Sequence, residues 1–225
     1  MKTMAWLGML GVALTTAGAS ATEAAGCVGT RPLYVFPSRL DAPLVGTSAT
    51  LLSPSLPVAF VPSGNGCLGP IPVFGVMLRG AEATHEAAST HAMARHLAPG
   101  LQEYSQRTGL EACARMCLTP RGTVVAQPVT VHSHVSCVAP PQTCPAGSAP
   151  TAETIHSHPP HRMFLGNAVD AVGWNEEEIV GQWVLTGYPN AVSDIDRTQA
   201  PVWVVGTEGQ LIWLATPQGQ EVLRP

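Results

Sequence analysis

The chain has 225 residues, of which 45% are hydrophobic, and it carries a formal net charge of -4. Lys2 is its only lysine and no stretch is rich in arginine, so the chain cannot neutralise a run of phosphates and we expect no nucleic-acid partner. The hydrophobic fraction predicts a packed globular domain and excludes disorder over the whole length.

Residues 1–21 are typical of a secretory signal peptide. Lys2 is followed by the apolar run Met4–Leu14, which is shorter than the roughly 20 apolar residues of a membrane span. The small residues Ala19–Ala21 suit a cleavage site. We therefore expect a secreted or periplasmic protein without a further membrane segment. An uncleaved anchor and a lipoprotein site at Cys27 are the alternatives.

Residues 22–80 are rich in Pro, Gly and Ser and show no helical periodicity. This composition predicts an irregular N-terminal arm, held at Cys27 and Cys67 and wrapped outside a domain that covers residues 81–225. No internal repeat is visible, although His-Ser-His occurs twice in the chain.

Six cysteines form an even set behind the export signal, which favours disulfide bonds over free thiols. Their pairing is open, because six cysteines allow about 15 connectivities. The short spacing of Cys137 and Cys144 across a Pro-Pro turn favours a local bridge between these two.

The run from Ala81 to Leu97 is rich in alanine and predicts a helix that Pro99-Gly100 ends. Its histidines at 85, 91 and 96 are six and five residues apart, so they do not share the face that a helical metal site needs. We interpret them as exposed or partly packed side chains.

Three segments with strand-like character follow, at residues 110–119, 123–137 and 153–159. They are separated by Pro-Arg-Gly and by a Pro-rich loop, and we expect them to be successive strands of one sheet. Near the C-terminus, PVWVV and LIWLA predict a hairpin with glycine at its turn, in which Trp203 and Trp213 pack against neighbours.

Between these regions, Asn175 precedes EEEIVGQWVL, which combines an N-cap candidate, an acidic first turn and an apolar pattern. It predicts a helix over residues 176–185. Glu176, Glu177 and Glu178 fit a solvated first turn better than a metal site.

His156 and His158 are two residues apart in a predicted strand, so their side chains share one face at a spacing of roughly 6.5 to 7 Å. Two such imidazoles can converge on one cation. A catalytic zinc takes three protein ligands and keeps a fourth position open, so this pair needs a third ligand.

The neighbourhood of these histidines resembles the JAMM (JAB1/MPN/Mov34) metalloprotease family. That family's pattern is an upstream glutamate, then His-x-His-Pro, then Ser-x-x-Asp. The matching positions here are Glu111, His156, His158, Pro159, Ser193 and Asp196, and the resemblance covers residues 110–215. The chain departs from the pattern in having 34 residues, 159–192, before Ser193, which predicts an insertion at residues 160–192.

The resemblance implies a role for each matching residue. His156, His158 and Asp196 would hold Zn²⁺, and Glu111 would act as general base on the attacking water and pass its proton to the leaving amine. Ser193 would stabilise the oxyanion. A plain helix cap also explains the Ser193–Asp196 spacing, and the two interpretations are compatible.

The implied fold is an α/β sandwich with a mixed β-sheet flanked by helices, similar to the JAMM and cytidine-deaminase folds. The implied function is an exported zinc-dependent peptidase or isopeptidase acting on a protein or peptide. The alternative is a catalytically inert scaffold subunit of an envelope complex, and a third option is a disulfide-stapled structural protein. Deaminase activity is excluded, because the chain lacks the H-x-E and P-C-x-x-C motifs.

Two other metal-ligand sets remain open. Asp170 lies closer in sequence to His158 than Asp196 does and is an alternative third ligand. His132 and His134 could form a second zinc site with Cys113 and Cys117, although the spacing between these histidines is shorter than zinc fingers use.

Overall fold

The computed structural model describes residues 32–35, 40–43, 71–79, 85–174, 179–187, 190–198, 201–207, 212–216 and 219–223. The predicted signal peptide lies outside these residues, as do Cys27, Cys67 and the acidic run at 176–178. No helix within the described ranges is long and apolar enough to cross a membrane.

Helices and strands alternate along the chain. The helices are α1 (Thr90–Thr108), α2 (Ala168–Trp174) and α3 (Asp194–Thr198). The strands are β1 (Pro32–Val35), β2 (Leu40–Pro43), β3 (Ile71–Phe74), β4 (Val76–Arg79), β5 (Cys113–Leu118), β6 (Val124–Ala126), β7 (Val129–Thr130), β8 (Ala149–Ser157), β9 (Met163–Leu165), β10 (Trp183–Leu185), β11 (Val202–Val205), β12 (Ile212–Thr216) and β13 (Gly219–Leu223).

The main sheet is mixed, with strand order β13-β12-β11-β8-β5-β7-β4-β2 and with β6 paired to β5. β8 and β11 are parallel, whereas β5 and β8 are antiparallel. Two further pairs, β1 with β3 and β9 with β10, form small separate sheets. The predicted mixed sheet with accompanying helices is therefore confirmed, as are the successive strands between residues 110 and 159 and the β11–β12 hairpin.

The hydrophobic core lies between α1 and one face of the main sheet. Met93, Leu97 and Leu101 of α1 are fully buried there, together with Ile155 of β8 and Trp203 of β11. Trp203 packs as the sequence predicts. Because successive residues of a strand point to opposite faces, the neighbours of Ile155 and Trp203 point away from α1. That opposite face carries the candidate site.

Helix α1 differs from the prediction of a helix over residues 81–97. It begins only at Thr90, where the Ser89 side chain accepts a hydrogen bond from the Ala92 N–H (3.2 Å). It then continues through the exposed Pro99 to Thr108, because burying the apolar residues on both sides of Pro99 outweighs the lost backbone hydrogen bond.

The three histidines near α1 are partly packed, as predicted. The rings of His85 and His96 stack with their centroids 3.7 Å apart. The ring of His91 meets Trp203 edge-on at 4.7 Å. None of these contacts brings three metal-binding groups together within the described residues.

Part of the predicted irregular arm is regular structure. β1, β2, β3 and β4 all lie within residues 22–80, and β4 joins the main sheet through β7, where Val76 pairs with Thr130. Val73 and Leu78 are fully buried. These four-residue strands are too short for periodicity alone to separate them from loop, which explains why composition predicts an irregular arm.

The predicted helix over residues 176–185 is wrong in its described part. Gly181 forms a turn with φ 76°, and β10 pairs antiparallel with β9. Trp183 and Leu185 lie opposite Leu165 and Met163, and all four side chains are about half exposed or more. The apolar pattern of this segment therefore marks the outer face of a hairpin rather than the buried face of a helix.

Among the described cysteines, disulfide bonds join Cys113 to Cys137 and Cys117 to Cys144, each with 5.8 Å between Cα atoms. The predicted local bridge between Cys137 and Cys144 is therefore wrong, because each of these residues meets a different cysteine of β5. The bonds also exclude the second zinc site proposed for Cys113 and Cys117, since disulfide sulfur is not the thiolate that zinc binds. Such bonds are compatible with an extracellular protein.

Candidate metal centre

The two histidines of the H-x-H-P motif lie at the carboxyl end of β8. His156 pairs with Val204 of the parallel strand β11 and with Cys113 of the antiparallel strand β5. The His158 N–H donates to the Val205 carbonyl (2.9 Å), which keeps the residue after the strand in register. The backbone of His156 is therefore fixed on two sides, and that of His158 is fixed on the side of β11.

The residue between them, Ser157, anchors the motif to the opposite face. Its hydroxyl is fully buried and lies 2.5 Å from the hydroxyl of Ser105 on α1. It also accepts a hydrogen bond from the Ala112 N–H (3.1 Å). Because strand side chains alternate, fixing Ser157 on one face fixes both imidazoles on the other.

Asp196 reaches the histidines from α3, across the predicted insertion. The Ser193 hydroxyl and the Ser193 N–H donate to Asp196 Oδ2 at 2.7 and 2.8 Å, and the Asp196 N–H donates back to the hydroxyl at 3.2 Å. This reciprocal cap is the alternative that the sequence left open for the Ser-x-x-Asp spacing. It turns the other carboxylate oxygen, Oδ1, toward His156 Nε2 (3.2 Å).

The three side chains converge on one point. The Nε2 atoms of His156 and His158 are 3.0 Å apart, and Asp196 Oδ2 is 3.8 Å from His158 Nε2. A tetrahedral zinc with bonds of about 2.0–2.1 Å would separate its ligand atoms by about 3.3 Å, and the observed spacings bracket this value. His156, His158 and Asp196 thus form a group that could bind a metal ion.

The burial of His156 favours the neutral form of its side chain, which is the form that binds a metal. It lowers the pKa of the His156 imidazole, and the Asp196 carboxylate opposes this effect only in part. The imidazole is therefore neutral near pH 7, which is the form that binds a metal.

Glu111 precedes β5 and lines the same cavity as the three candidate ligands. Its N–H donates to the Ser133 carbonyl (2.8 Å), and its own carbonyl accepts from Thr130 Oγ1 (2.8 Å), so its backbone is fixed. Burial, with further contributions from the Asp196 and Asp170 charges, raises the pKa of the Glu111 carboxyl well above its ordinary value. An acid with this environment belongs to a site rather than to a solvated surface.

The cavity has a volume of about 660 Å³. The predicted insertion contributes to its wall through Val172, Gly173, Thr186 and Gly187, so it shapes the cleft. Aliphatic side chains line it as well: Val135, Val138, Val172, Val192 and Ile195. Among the described residues, no lysine or arginine lines it.

Ser193 also lines the cavity, but within the described residues its hydroxyl hydrogen-bonds only with Asp196. The visible contribution of Ser193 is therefore to orient a candidate ligand. A role at the oxyanion stays a prediction, since it requires the hydroxyl to turn toward a substrate.

Asp170 does not join the metal group. Its side chain is fully buried against Ser133, His134 and Asn167, and Oδ2 lies 2.8 Å from His134 Nδ1. The alternative in which Asp170 replaces Asp196 as the third ligand is therefore wrong. His134 lines the cavity as well, a position that its sequence context does not predict. The second His-Ser-His was the signal that pointed to it.

Replacing Glu111 with glutamine is expected to stabilise the metal-free protein at neutral pH. Because the folded-state pKa is raised, the carboxyl favours folding below its ordinary pKa and opposes folding as the pH rises. We expect a gain of about 1–3 kcal/mol, the range for a poorly compensated buried polar group. Urea unfolding in the presence of a chelator measures it. A gain that does not shrink below pH 4.5, the ordinary carboxyl value, would contradict this origin.

No family model, no curated protein and no solved structure matches the chain. The assignment of function therefore rests on the geometry of this site.

Proposed function

We propose that the protein is a zinc-dependent hydrolase that cleaves peptide or isopeptide bonds. The observation that carries the proposal is the convergence of two imidazoles and one carboxylate beside a buried glutamate, in one open cavity. Three protein ligands and an open side are the arrangement of catalytic rather than structural zinc sites.

The ligand set favours zinc over harder cations. Two neutral imidazoles and one carboxylate suit Zn²⁺, whereas Mg²⁺ and Ca²⁺ prefer oxygen ligands. When bound, Zn²⁺ would lower the pKa of a coordinated water and polarise the carbonyl of a substrate. The positive charge would also lower the pKa of Glu111 from its metal-free value, so that the carboxylate can accept a proton.

The chain's own residues supply the remaining chemistry. Glu111 is placed to accept the proton of the attacking water. Ser193 orients Asp196 and can offer its hydroxyl to the developing negative charge. The aliphatic lining and the absence of lysine and arginine from the described wall favour a substrate with an uncharged, apolar side chain next to the cleaved bond.

The metal-binding step is tested by zinc content. The purified protein is expected to bind about one Zn²⁺ per chain. His156→Ala or Asp196→Ala should weaken zinc binding by at least about tenfold, because losing a residue that only hydrogen-bonds to a metal ligand can already weaken binding by that factor. Asp194→Ala is the matched control, because Asp194 lies in the same helix and loses the same charge but is exposed. Equal zinc loss in all three variants would contradict the assignment.

The hydrolytic step is tested by incubating the zinc-loaded protein with a defined peptide library and detecting new termini by mass spectrometry. Cleavage that stops on addition of a chelator supports the hydrolase. Stoichiometric zinc binding without any cleavage would favour the alternative, a scaffold subunit of an envelope complex that uses the same fold. Absence of zinc binding would overturn both the enzyme and the metal site.

A further inference from the structure

A third histidine, His134, lines the cavity beside His156 and His158, and a buried carboxylate holds it. The Nδ1 atom of His134 lies 2.8 Å from Asp170 Oδ2, and the His134 N–H donates to Oδ1 of the same carboxylate at 2.7 Å. The ring also stacks on Phe164 with centroids 4.3 Å apart. Ring plane and ring rotation are therefore both fixed.

Asp170 is fully buried, and two more hydrogen bonds hold it. The Ser133 hydroxyl donates to Oδ1 at 2.8 Å, and the Asn167 N–H donates to Oδ2 at 2.9 Å. Four donors thus point at the two carboxylate oxygens, and because carboxylate oxygens accept hydrogen bonds, Nδ1 of His134 is the ring nitrogen that donates. The neutral His134 ring is thereby held in the tautomer whose Nε2 carries no proton.

The loop that carries His134 contains a residue in an unfavourable backbone conformation. His132 has φ 61°, the left-handed region that non-glycine residues rarely occupy. The Asn167 side chain holds this turn by donating to the His132 carbonyl at 3.0 Å. Backbone strain held in place by neighbours is typical of functional loops.

The second ring nitrogen is left for a ligand. His134 Nε2 has no hydrogen-bond partner among the described residues, and it is not among the described buried atoms that lack one. His134 lines the same cavity as Glu111 and the candidate ligands, and with Nδ1 held by Asp170, Nε2 is the ring nitrogen left to meet a substrate there.

We propose that His134 is a second acid–base residue of this cavity, which protonates the leaving nitrogen, and that Asp170 is its positioning residue. This inference rests on the proposed hydrolase function. Glu111 would then only accept the proton of the water, and His134, from another part of the cavity wall, would protonate the leaving nitrogen.

The proton balance is complete. The water oxygen bonds to the carbonyl carbon, and Glu111 takes one water proton. The carbon–nitrogen bond breaks with its electron pair on nitrogen, which takes a proton from Nε2 of the His134 imidazolium. The proton on Glu111 then returns to His134 through solvent, so no oxidant, reductant or further reactant is needed.

The experiment compares two leaving groups on one acyl segment. The probes are a peptide that the library assay shows to be cleaved and a nitrophenyl ester carrying the same acyl segment. An amine must be protonated to leave, whereas nitrophenolate need not be. We therefore expect His134→Gln to lower kcat on the peptide by about 10²–10⁴-fold and on the ester by less than about tenfold, with zinc content unchanged.

Asp170→Asn provides the positioning test, read by nitrogen NMR of the metal-free protein. The wild type should show the proton on His134 Nδ1, and the Asn variant should lose this preference, because an amide can donate to Nδ1. Its effect on the peptide should also exceed its effect on the ester. If Asp170→Asn does not fold, His134→Gln still tests the role of the imidazole.

The outcomes separate the two proposals. Equal loss of activity on peptide and ester in His134→Gln, or no loss on either, would overturn the role of His134 while leaving the hydrolase intact. A neutral His134 ring that carries its proton on Nε2 instead of Nδ1 in the wild type would overturn the positioning by Asp170. A zinc-loaded wild type that cleaves no peptide of the library removes the hydrolase, and the role of His134 with it.

Discussion

Replacing Glu111 with glutamine is expected to lower the hydrolysis rate by about 10²–10⁴-fold while about one Zn²⁺ per chain stays bound. The variant keeps all three candidate ligands, because Glu111 is not among the atoms that converge on the metal. It removes the carboxylate that accepts the water proton. Turnover of a cleaved peptide and zinc analysis of the same sample measure the two effects together.

Glu103→Gln is the matched control for this change. Glu103 lies half-exposed on α1, pairs with Arg107 (3.5 Å) and is not among the described residues that line the cavity. It loses the same charge and should retain turnover. If Glu111→Gln instead loses zinc, Glu111 is a metal ligand and its assignment as a base is wrong.

The metal group could be predicted from the sequence because strand geometry is local. His156 and His158 share a face wherever their segment forms a strand, and β8 ends at Ser157 between them. The approach of Asp196 could not be predicted in the same way. It depends on how β9, α2 and β10 fold back between Pro159 and Ser193, which no spacing rule encodes. The family pattern supplied the assignment, and the structure brings the carboxylate to the imidazoles.

The wrong secondary-structure predictions have a common physical cause, because tertiary contacts override the local conformational preference of a segment. Pro99 and Gly100 are good helix terminators, yet α1 continues through both because Leu97 and Leu101 are buried on either side. Trp183 and Leu185 have the apolar character of a buried helix face, yet they lie exposed on a hairpin. Sequence pattern gives apolar character but not which side of an element faces the core.

The pairing of Asp170 with His134 also depends on tertiary structure that the local sequence does not encode. The two residues are 36 positions apart, and their contact needs both the strained turn at His132 and the start of α2. The sequence marks Asp170 and His134 as candidate metal ligands in two different sites, whereas the structure pairs them with each other. A buried carboxylate needs a partner, and only the structure shows that the partner is an imidazole in the cavity.

The two described disulfide bonds are expected to stabilise the fold by similar amounts but to differ in their effect on turnover. The Cys113–Cys137 and Cys117–Cys144 bonds span 24 and 27 residues, so the chain-entropy model gives each about 3–4 kcal/mol of stabilisation. Replacing either pair with alanine should therefore lower the free energy of unfolding by a similar amount, measured by urea unfolding. The two double variants are matched controls for each other.

Turnover should distinguish the two variants. Cys137 lines the cavity close to His134, and its partner Cys113 pairs with His156 in the sheet, so this bond ties the His134 loop to the metal group. Cys144 does not line the cavity. Loss of Cys113–Cys137 should lower peptide turnover by about tenfold or more, because small displacements of catalytic groups are costly, whereas loss of Cys117–Cys144 should leave turnover nearly unchanged below the unfolding temperature. Equal turnover in both variants would show that the loop keeps its position without the bond.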